Sequence, residues 1–296
     1  MSIKDLYTEV MKKRAINRLH RKLYVRVKNA KIKPNMSLPL KRPFTVDELL
    51  PLRSDYHIVP PSFIGISSAR GGSTWWYNML LAHPKVVHNR VHTKELCYFY
   101  HYFYQRPTRE EINTYRQAFA APKGSLCGEW SPLYLHQPLA MNYLVEAAPD
   151  AKFIAMVRNP IHRLRSEINQ LHEVFPNAKR LSFPSLANMG EFGRLSQQFK
   201  QVLGLVDRKN LLILQYEKCK QNPMQELKKT YRFLGLDESF VPSGLSTEVN
   251  TFHTRTDAFE PDVLHNLIKY YQPDVDRLMQ MFPNELQPDL WGEFRS

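Results

Sequence analysis

Two patterns of apolar positions alternate along this chain. In one, short apolar runs are bounded by turn residues: SFIGIS (62–67), KVVHNRV (85–91), AKFIAMV (151–157) and NLLILQYEK (210–218). Such runs predict strands buried on both faces of a parallel sheet. In the other, apolar residues recur every three or four positions, which predicts helices. These stretches are STWWYNMLLAHP (73–84), TREEINTYRQAF (108–119), QPLAMNYLVEAAP (137–149), IHRLRSEINQLHEVF (161–175), GEFGRLSQQFKQVLGLV (190–206) and PMQELKKTYRFLGL (223–236). The segment 261–282 reads as two helical pieces around Pro273. Strands alternating with helices imply an α/β fold: a central parallel sheet flanked by helices in three layers. In such folds ligands bind at the carboxyl ends of the strands, so the loops after residues 67 and 157 are the first places to look for chemistry.

The ends of the chain differ from this body. Residues 1–45 hold 13 Lys or Arg and two acids, whereas the remaining 28 basic and 26 acidic residues nearly cancel. The basicity therefore belongs to an amino-terminal arm, which argues against a body built for nucleic acid. Apolar residues at Ile3, Leu6, Tyr7, Val10, Ile16, Leu19, Leu23 and Val27 make the arm an amphipathic helix with a basic face. It is suited to packing on the domain, to peripheral membrane contact or to a partner. The Pro-bearing stretch 31–43 links it to a domain expected over 60–283, with 284–296 as a tail. No run approaches a membrane span, and no uninterrupted apolar stretch suggests a signal peptide. Cys97, Cys127 and Cys219 show no metal or disulfide spacing and read as free thiols of a cytoplasmic protein. No histidine cluster has metal spacing either.

The loop SARGGST (68–74) joins a predicted strand to a predicted helix. A helix amino terminus, two glycines, the hydroxyls of Ser73 and Thr74 and the charge of Arg70 together favour an anion. A metal-dependent nucleotide loop places a Lys just before its Ser or Thr, where this chain has Gly72. The second apolar strand of such proteins ends in a metal-holding Asp, whereas here it ends in Arg158. Two anion-binding loops without a metal carboxylate point to a nucleotide held without magnesium.

The motif SARGGSTWW (68–76) resembles the 5′-phosphosulfate loop of sulfotransferases that use 3′-phosphoadenosine 5′-phosphosulfate. RNPIHRLRS (158–166) resembles their 3′-phosphate element, an Arg with a Ser eight residues later. TKELCYFY (93–100) and GEWSPLYL (128–135) resemble motifs of the heparan sulfate and bacterial members, and 211–236 resembles their late strand and helix. The likeness covers roughly residues 60–283 and implies a P-loop-like fold.

It also implies a set of roles. Arg70, Gly71, Gly72, Ser73, Thr74, Trp75, Arg158 and Ser166 would bind the donor, with Arg255 or His253 covering it from a later loop. Glu95 would be the base, with Lys94 beside the transferring group and Arg70 stabilising the leaving phosphate. Glu129, Trp130, Tyr134 and His92 would face the acceptor, and the stretch 172–193 would border its site. Cys97 stands where the family has a His, which leaves His88, His92 and His101 as rival bases. Trp130 replaces a family Lys, and an indole there favours stacking on a ring over pairing with a sulfated polymer. The expected reaction is sulfonyl transfer, with adenosine 3′,5′-bisphosphate as product. The acceptor is a hydroxyl or N–H, on a small natural product before a carbohydrate or a tyrosyl peptide. A kinase-like phosphotransferase and a non-catalytic tether are the more distant readings. A homodimer is left open.

Overall fold

A computed structural model of the chain describes residues 42–137, 139–174, 189–245 and 259–294. Most of the basic arm, much of the 172–193 stretch, and His253 and Arg255 lie outside the described residues.

The strands, in chain order, are β1 (His57–Ile58), β2 (Phe63–Ser67), β3 (Val86–Val87), β4 (Ala120–Ala121), β5 (Leu126–Trp130), β6 (Lys152–Val157) and β7 (Leu211–Gln215). The α-helices are α1 (Ser73–Leu81), α2 (Arg109–Gln117), α3 (Ala140–Ala147), α4 (Pro160–Val174), α5 (Ser196–Leu205), α6 (Tyr216–Gln221), α7 (Pro223–Leu234) and α8 (Pro261–Met281). Five strands form one sheet in the order β3–β5–β2–β6–β7, and every neighbouring pair is parallel. β1 and β4 pair antiparallel in a separate two-stranded ribbon.

Strand β2 is buried at all five positions, as a central strand of a covered sheet must be. One face of the sheet carries α1 and α7, where Trp76, Leu80, Leu227 and Tyr231 pack with Phe63 and Met156. The other carries α2, α3, α5 and α8 around Phe99, Tyr115, Leu144, Phe199, Tyr271 and Leu278. This is the three-layer α/β architecture of P-loop type, with both sheet faces covered.

Four departures from the sequence reading have physical causes. β5 was not expected, because CGEW interrupts an apolar run with a glycine and a carboxylate. The structure accepts both: a Cβ at Gly128 would lie 2.3 Å from the Phe63 carbonyl, and Glu129 is paired internally. β3 is shorter than the 85–91 run. Asn89 is buried and folds the following residues into a turn, donating to the Thr93 carbonyl at 2.7 Å and accepting from Val91 N at 3.1 Å. α8 continues through Pro273, a position that costs about 3 kcal/mol in a helix interior. Burial of Tyr271, Val275 and Leu278 offsets that cost, as does Asp274, which accepts from Leu195 N at 2.7 Å. Finally, the segment read as a tail puts Leu286, Trp291 and Phe294 into the core. Among the described residues no helix is long and apolar enough to cross a membrane.

Candidate active site

The carboxyl ends of β2, β5, β6 and β7 and the turns that leave them carry the site. Leaving β2, the chain makes a tight turn, with Gly71 N donating to Ser68 O at 3.1 Å, before α1 begins. Arg70 sits at φ 66° and Gly72 at φ 97°. Holding a non-glycine residue there costs of order 1 kcal/mol or more, a strain found mostly at functional turns. Gly72 is required twice over, by its φ and because a Cβ would lie 2.4 Å from the Tyr216 ring. Gly72 caps α1 without a side-chain hydrogen bond, so the first N–H groups of the helix are left for an anion.

Two guanidinium groups converge beside this turn. Arg158, at the end of β6, donates to the Arg70 carbonyl at 2.9 Å and lies over the Tyr216 ring at 4.4 Å. Its Nε is buried without a hydrogen-bond partner. Arg70 donates through Nε and one terminal nitrogen to Ser166 Oγ, both at 3.3 Å. Burial, then the charge of Arg158, pulls Arg70 down to about 10, and burial lowers Arg158 as well. Two desolvated cations that repel each other are stabilised by an anion between or beside them. Trp75 is half-buried at the start of α1, edge-on to Tyr216 at 6.5 Å, with its Nε1 buried and unpaired. Trp76 is core, with Nε1 bonded to Thr230 at 3.0 Å.

Lys94 reaches the same turn from the chain between β3 and β5. Its Nζ lies 3.0 Å from Ser73 Oγ, 3.1 Å from Thr74 Oγ1 and 2.7 Å from Glu95 Oε1. An ammonium therefore stands beside the loop hydroxyls and comes from another segment, whereas a metal-dependent loop carries its own Lys just before the Ser or Thr. Burial lowers the Lys94 pKa against the pull of Glu95. The side chains of Lys94 and Glu95 are 11% and 20% exposed, so the carboxylate is largely desolvated yet open to a ligand.

Beneath this pair lies a buried polar network. Glu129 accepts from Leu96 N at 3.2 Å, Ser131 Oγ at 2.5 Å, Tyr115 OH at 2.7 Å and Tyr134 OH at 3.2 Å. Ser131 Oγ accepts from Cys97 N at 3.0 Å, and Tyr134 OH from Tyr98 N at 2.7 Å. Three consecutive backbone N–H groups directly after Glu95 are thus tied to one network, which holds Cys97 at φ 46°. Burial pushes Glu129 up to about 7 against four hydrogen bonds that lower it.

Three residues expected on the acceptor side therefore belong elsewhere. Glu129, Trp130 and Tyr134 are fully buried. Trp130 donates to Ser67 Oγ at 3.2 Å and fills the space over Gly65, where a Cβ would fall 2.0 Å from the indole. Glu129 and Tyr134 brace the turn after Glu95. His92 is exposed and stacks on His88 at 5.0 Å and 13°. Cys97 is buried, its thiol pushed up to about 12, which removes it as a proton acceptor. The structure brings Arg70, Gly71, Gly72, Ser73, Thr74, Trp75, Lys94, Glu95, Arg158 and Ser166 together around one turn. Sequence reasoning missed Tyr216, Glu217 and Asn159. The strand-end rule that flagged the loops after β2 and β6 applies equally to β7 and would have found Tyr216.

A sequence profile of the Sulfotransferase domain matches residues 60–257. The membrane-associated sulfotransferase kil1 of Dictyostelium discoideum is 26% identical over 159 residues, 54% of this chain and 30% of that protein. The aligned part is thus under a third of that relative. Among solved structures, a sulfotransferase from Alicyclobacillus acidocaldarius is 25% identical, with a TM-score of 0.62 over 79% of this chain and 100% of its own. The sulfotransferase STF9 from Mycobacterium avium, 10% identical, shares the fold, with a TM-score of 0.53 over 78% of each chain.

Proposed function

The chain belongs to the sulfotransferase domain family, and we propose that it moves a sulfonyl group from 3′-phosphoadenosine 5′-phosphosulfate to a hydroxyl or N–H, with Glu95 as base. The observation that carries this reading is the convergence of Arg70, Arg158, Lys94 and the open α1 amino terminus on one turn next to a desolvated carboxylate. The cradle suits a nucleotide with two anionic ends. Arg158 has an unpaired buried Nε, Ser68 has an unpaired buried Oγ, and Gly72 lets the backbone come close. Arg158 at the end of β6 argues against a kinase-like reading, because a cation there opposes the metal such enzymes hold at that position.

The donor supplies an activated sulfonyl group on a phosphate leaving group. Arg158 and Ser166 hold its 3′-phosphate, and Trp75 flanks the base. Ser73, Thr74 and the α1 N–H groups hold the 5′ end. Glu95 takes the proton from the acceptor as its oxygen or nitrogen attacks. Lys94, standing between Glu95 and the loop hydroxyls, stabilises the charge that builds on the leaving phosphate, and Arg70 adds a second fixed cation. A guanidinium stays protonated, so Arg70 acts by charge alone.

The acceptor is a small molecule carrying a ring or apolar body. The body of the protein is nearly neutral, and Tyr100, Phe103 and Tyr104 are exposed in the segment that follows Glu95. Cys97, Cys127 and Cys219 are free and buried, which supports a reducing, cytoplasmic setting. The test is transfer of labelled sulfonate from the donor to panels of phenolic, carbohydrate and tyrosyl-peptide acceptors. Labelling of phenolic small molecules is expected. Labelling confined to carbohydrates or peptides overturns the acceptor, and labelling of none, with donor bound, overturns the transfer.

A further inference from the structure

The carboxyl-terminal segment lies beyond the residues matched by the family profile, yet it is stitched to the turn that carries Arg158. Asn159, fully buried, accepts from Ile161 N at 2.9 Å and His162 N at 3.3 Å, so it caps α4. Its other side-chain atom, Nδ2, donates to Glu293 Oε2 at 2.8 Å. The remaining Glu293 oxygen meets His162 Nε2 at 2.8 Å. The Asn159 backbone N–H donates to Glu217 Oε1 at 3.0 Å, and the other oxygen of that carboxylate accepts from Trp291 Nε1 at 2.9 Å. Glu217 follows Tyr216, the ring on which Arg158 lies. Upstream, Gln287 N donates to Gln215 Oε1 at 2.7 Å and Lys218 Nζ to Glu285 O at 2.6 Å, so the segment is tied down along the end of β7.

We infer that Trp291 and Glu293 are positioning residues for the donor site: they clamp Asn159 and Glu217 and so set the direction in which Arg158 presents its guanidinium. The geometry favours this over simple packing. Trp291 is fully buried, but its Nε1 is directed at a carboxylate shared with the Arg158 turn. Glu293 spends both oxygens on the first turn of α4, the helix that also carries Ser166. A segment needed only to cover apolar surface has no use for two half-buried carboxylates whose oxygens all go to groups of the Arg158 turn, the first turn of α4 and Trp291. The inference rests on the reading that Arg158 receives the donor's 3′-phosphate.

Calorimetric titration of the full chain separates the two. Adenosine 3′,5′-bisphosphate and adenosine 5′-monophosphate, which lacks the 3′-phosphate, are titrated into wild type, E293A, E293Q, W291F, R158A and R158A/E293A. E293A and W291F are expected to weaken the bisphosphate about tenfold and the monophosphate by less than about twofold, the scale of one charge-assisted hydrogen bond. E293Q keeps an acceptor for Asn159 and should recover most of the loss. R158A should remove the advantage of the bisphosphate, and E293A added to it should cost little more. Folded E293A and W291F that bind the bisphosphate as wild type does, or that weaken both nucleotides equally, overturn the clamp. Should W291F not fold, E293A and E293Q decide alone. An R158A protein that still prefers the bisphosphate overturns the underlying donor reading instead.

Discussion

The end of β2 and the end of β5 are neighbours in the sheet, and both carry motif residues, yet they do different work. At the end of β2 the motif residues line the proposed donor site. Arg70 is strained and desolvated, Arg158 keeps a buried Nε without a partner, and the start of α1 has no side-chain cap. At the end of β5 the motif residues are satisfied: every oxygen of Glu129 is used, and Trp130 is sealed over Gly65. Unfinished polar chemistry marks binding, whereas completed chemistry marks support for something nearby. Here the supported element is the Lys94–Glu95 pair.

Substitutions can break or sharpen this contrast. The largest effect is expected at Glu95: E95Q should lower kcat by about 10²- to 10⁴-fold, the scale of general-base catalysis, with donor affinity nearly unchanged. Full turnover in E95Q, seen by steady-state kinetics, would transfer the role to His92 or His88. R158A should weaken the nucleotide about 100-fold by calorimetry, because a buried charged partner is lost.

On the support side the readout is stability. E129A leaves the Leu96 N–H and three hydroxyls without their acceptor and should cost about 2–3 kcal/mol in denaturant titrations. The pH dependence has a definite sign. Folding raises Glu129 from its ordinary 4.5 to about 7, so the folded chain holds this proton more tightly than the unfolded one. The contribution is fully present below pH 4.5 and is lost as pH rises to about 7, an amount of order 3 kcal/mol. E129Q should lack that slope. An E129Q curve parallel to wild type between pH 5 and 8 would mean that Glu129 ionises normally.

The smallest effects are expected from W130F and from deletion of residues 1–41. W130F loses one buried hydrogen bond and some volume, about 1–2 kcal/mol of stability, with acceptor KM unchanged. A raised KM at unchanged stability would return Trp130 to the acceptor side. Deletion of the arm should leave kcat within about twofold, as none of the residues assigned to the donor or to the base lies within it.

The apolar runs at 62–67, 151–157 and 210–218 announced three strands of the sheet, because a strand buried on both faces has little choice of residue. The turn at 68–72 was legible for a related reason: close backbone approach and positive φ demand glycine, and an anion demands cations. β5 was not legible, since Gly128 is explained by Phe63, far away in the chain, and Glu129 by a network that joins nearby Ser131 and Tyr134 to Leu96 and Tyr115 of other segments. Trp130 misled because an indole suits an aromatic acceptor and a core equally well, and only the gap above Gly65 decides between them. Lys94 was placed by resemblance, but its seat on Ser73 and Thr74 depends on the β3–β5–β2 strand order, which local pattern does not carry.

Titration of the purified chain with adenosine 3′,5′-bisphosphate in the presence of a chelator tests the central claim most directly. The expected result is saturable binding at one site, independent of magnesium and lost in R158A. Absence of binding by a folded protein, or binding of ATP that requires magnesium, would contradict it.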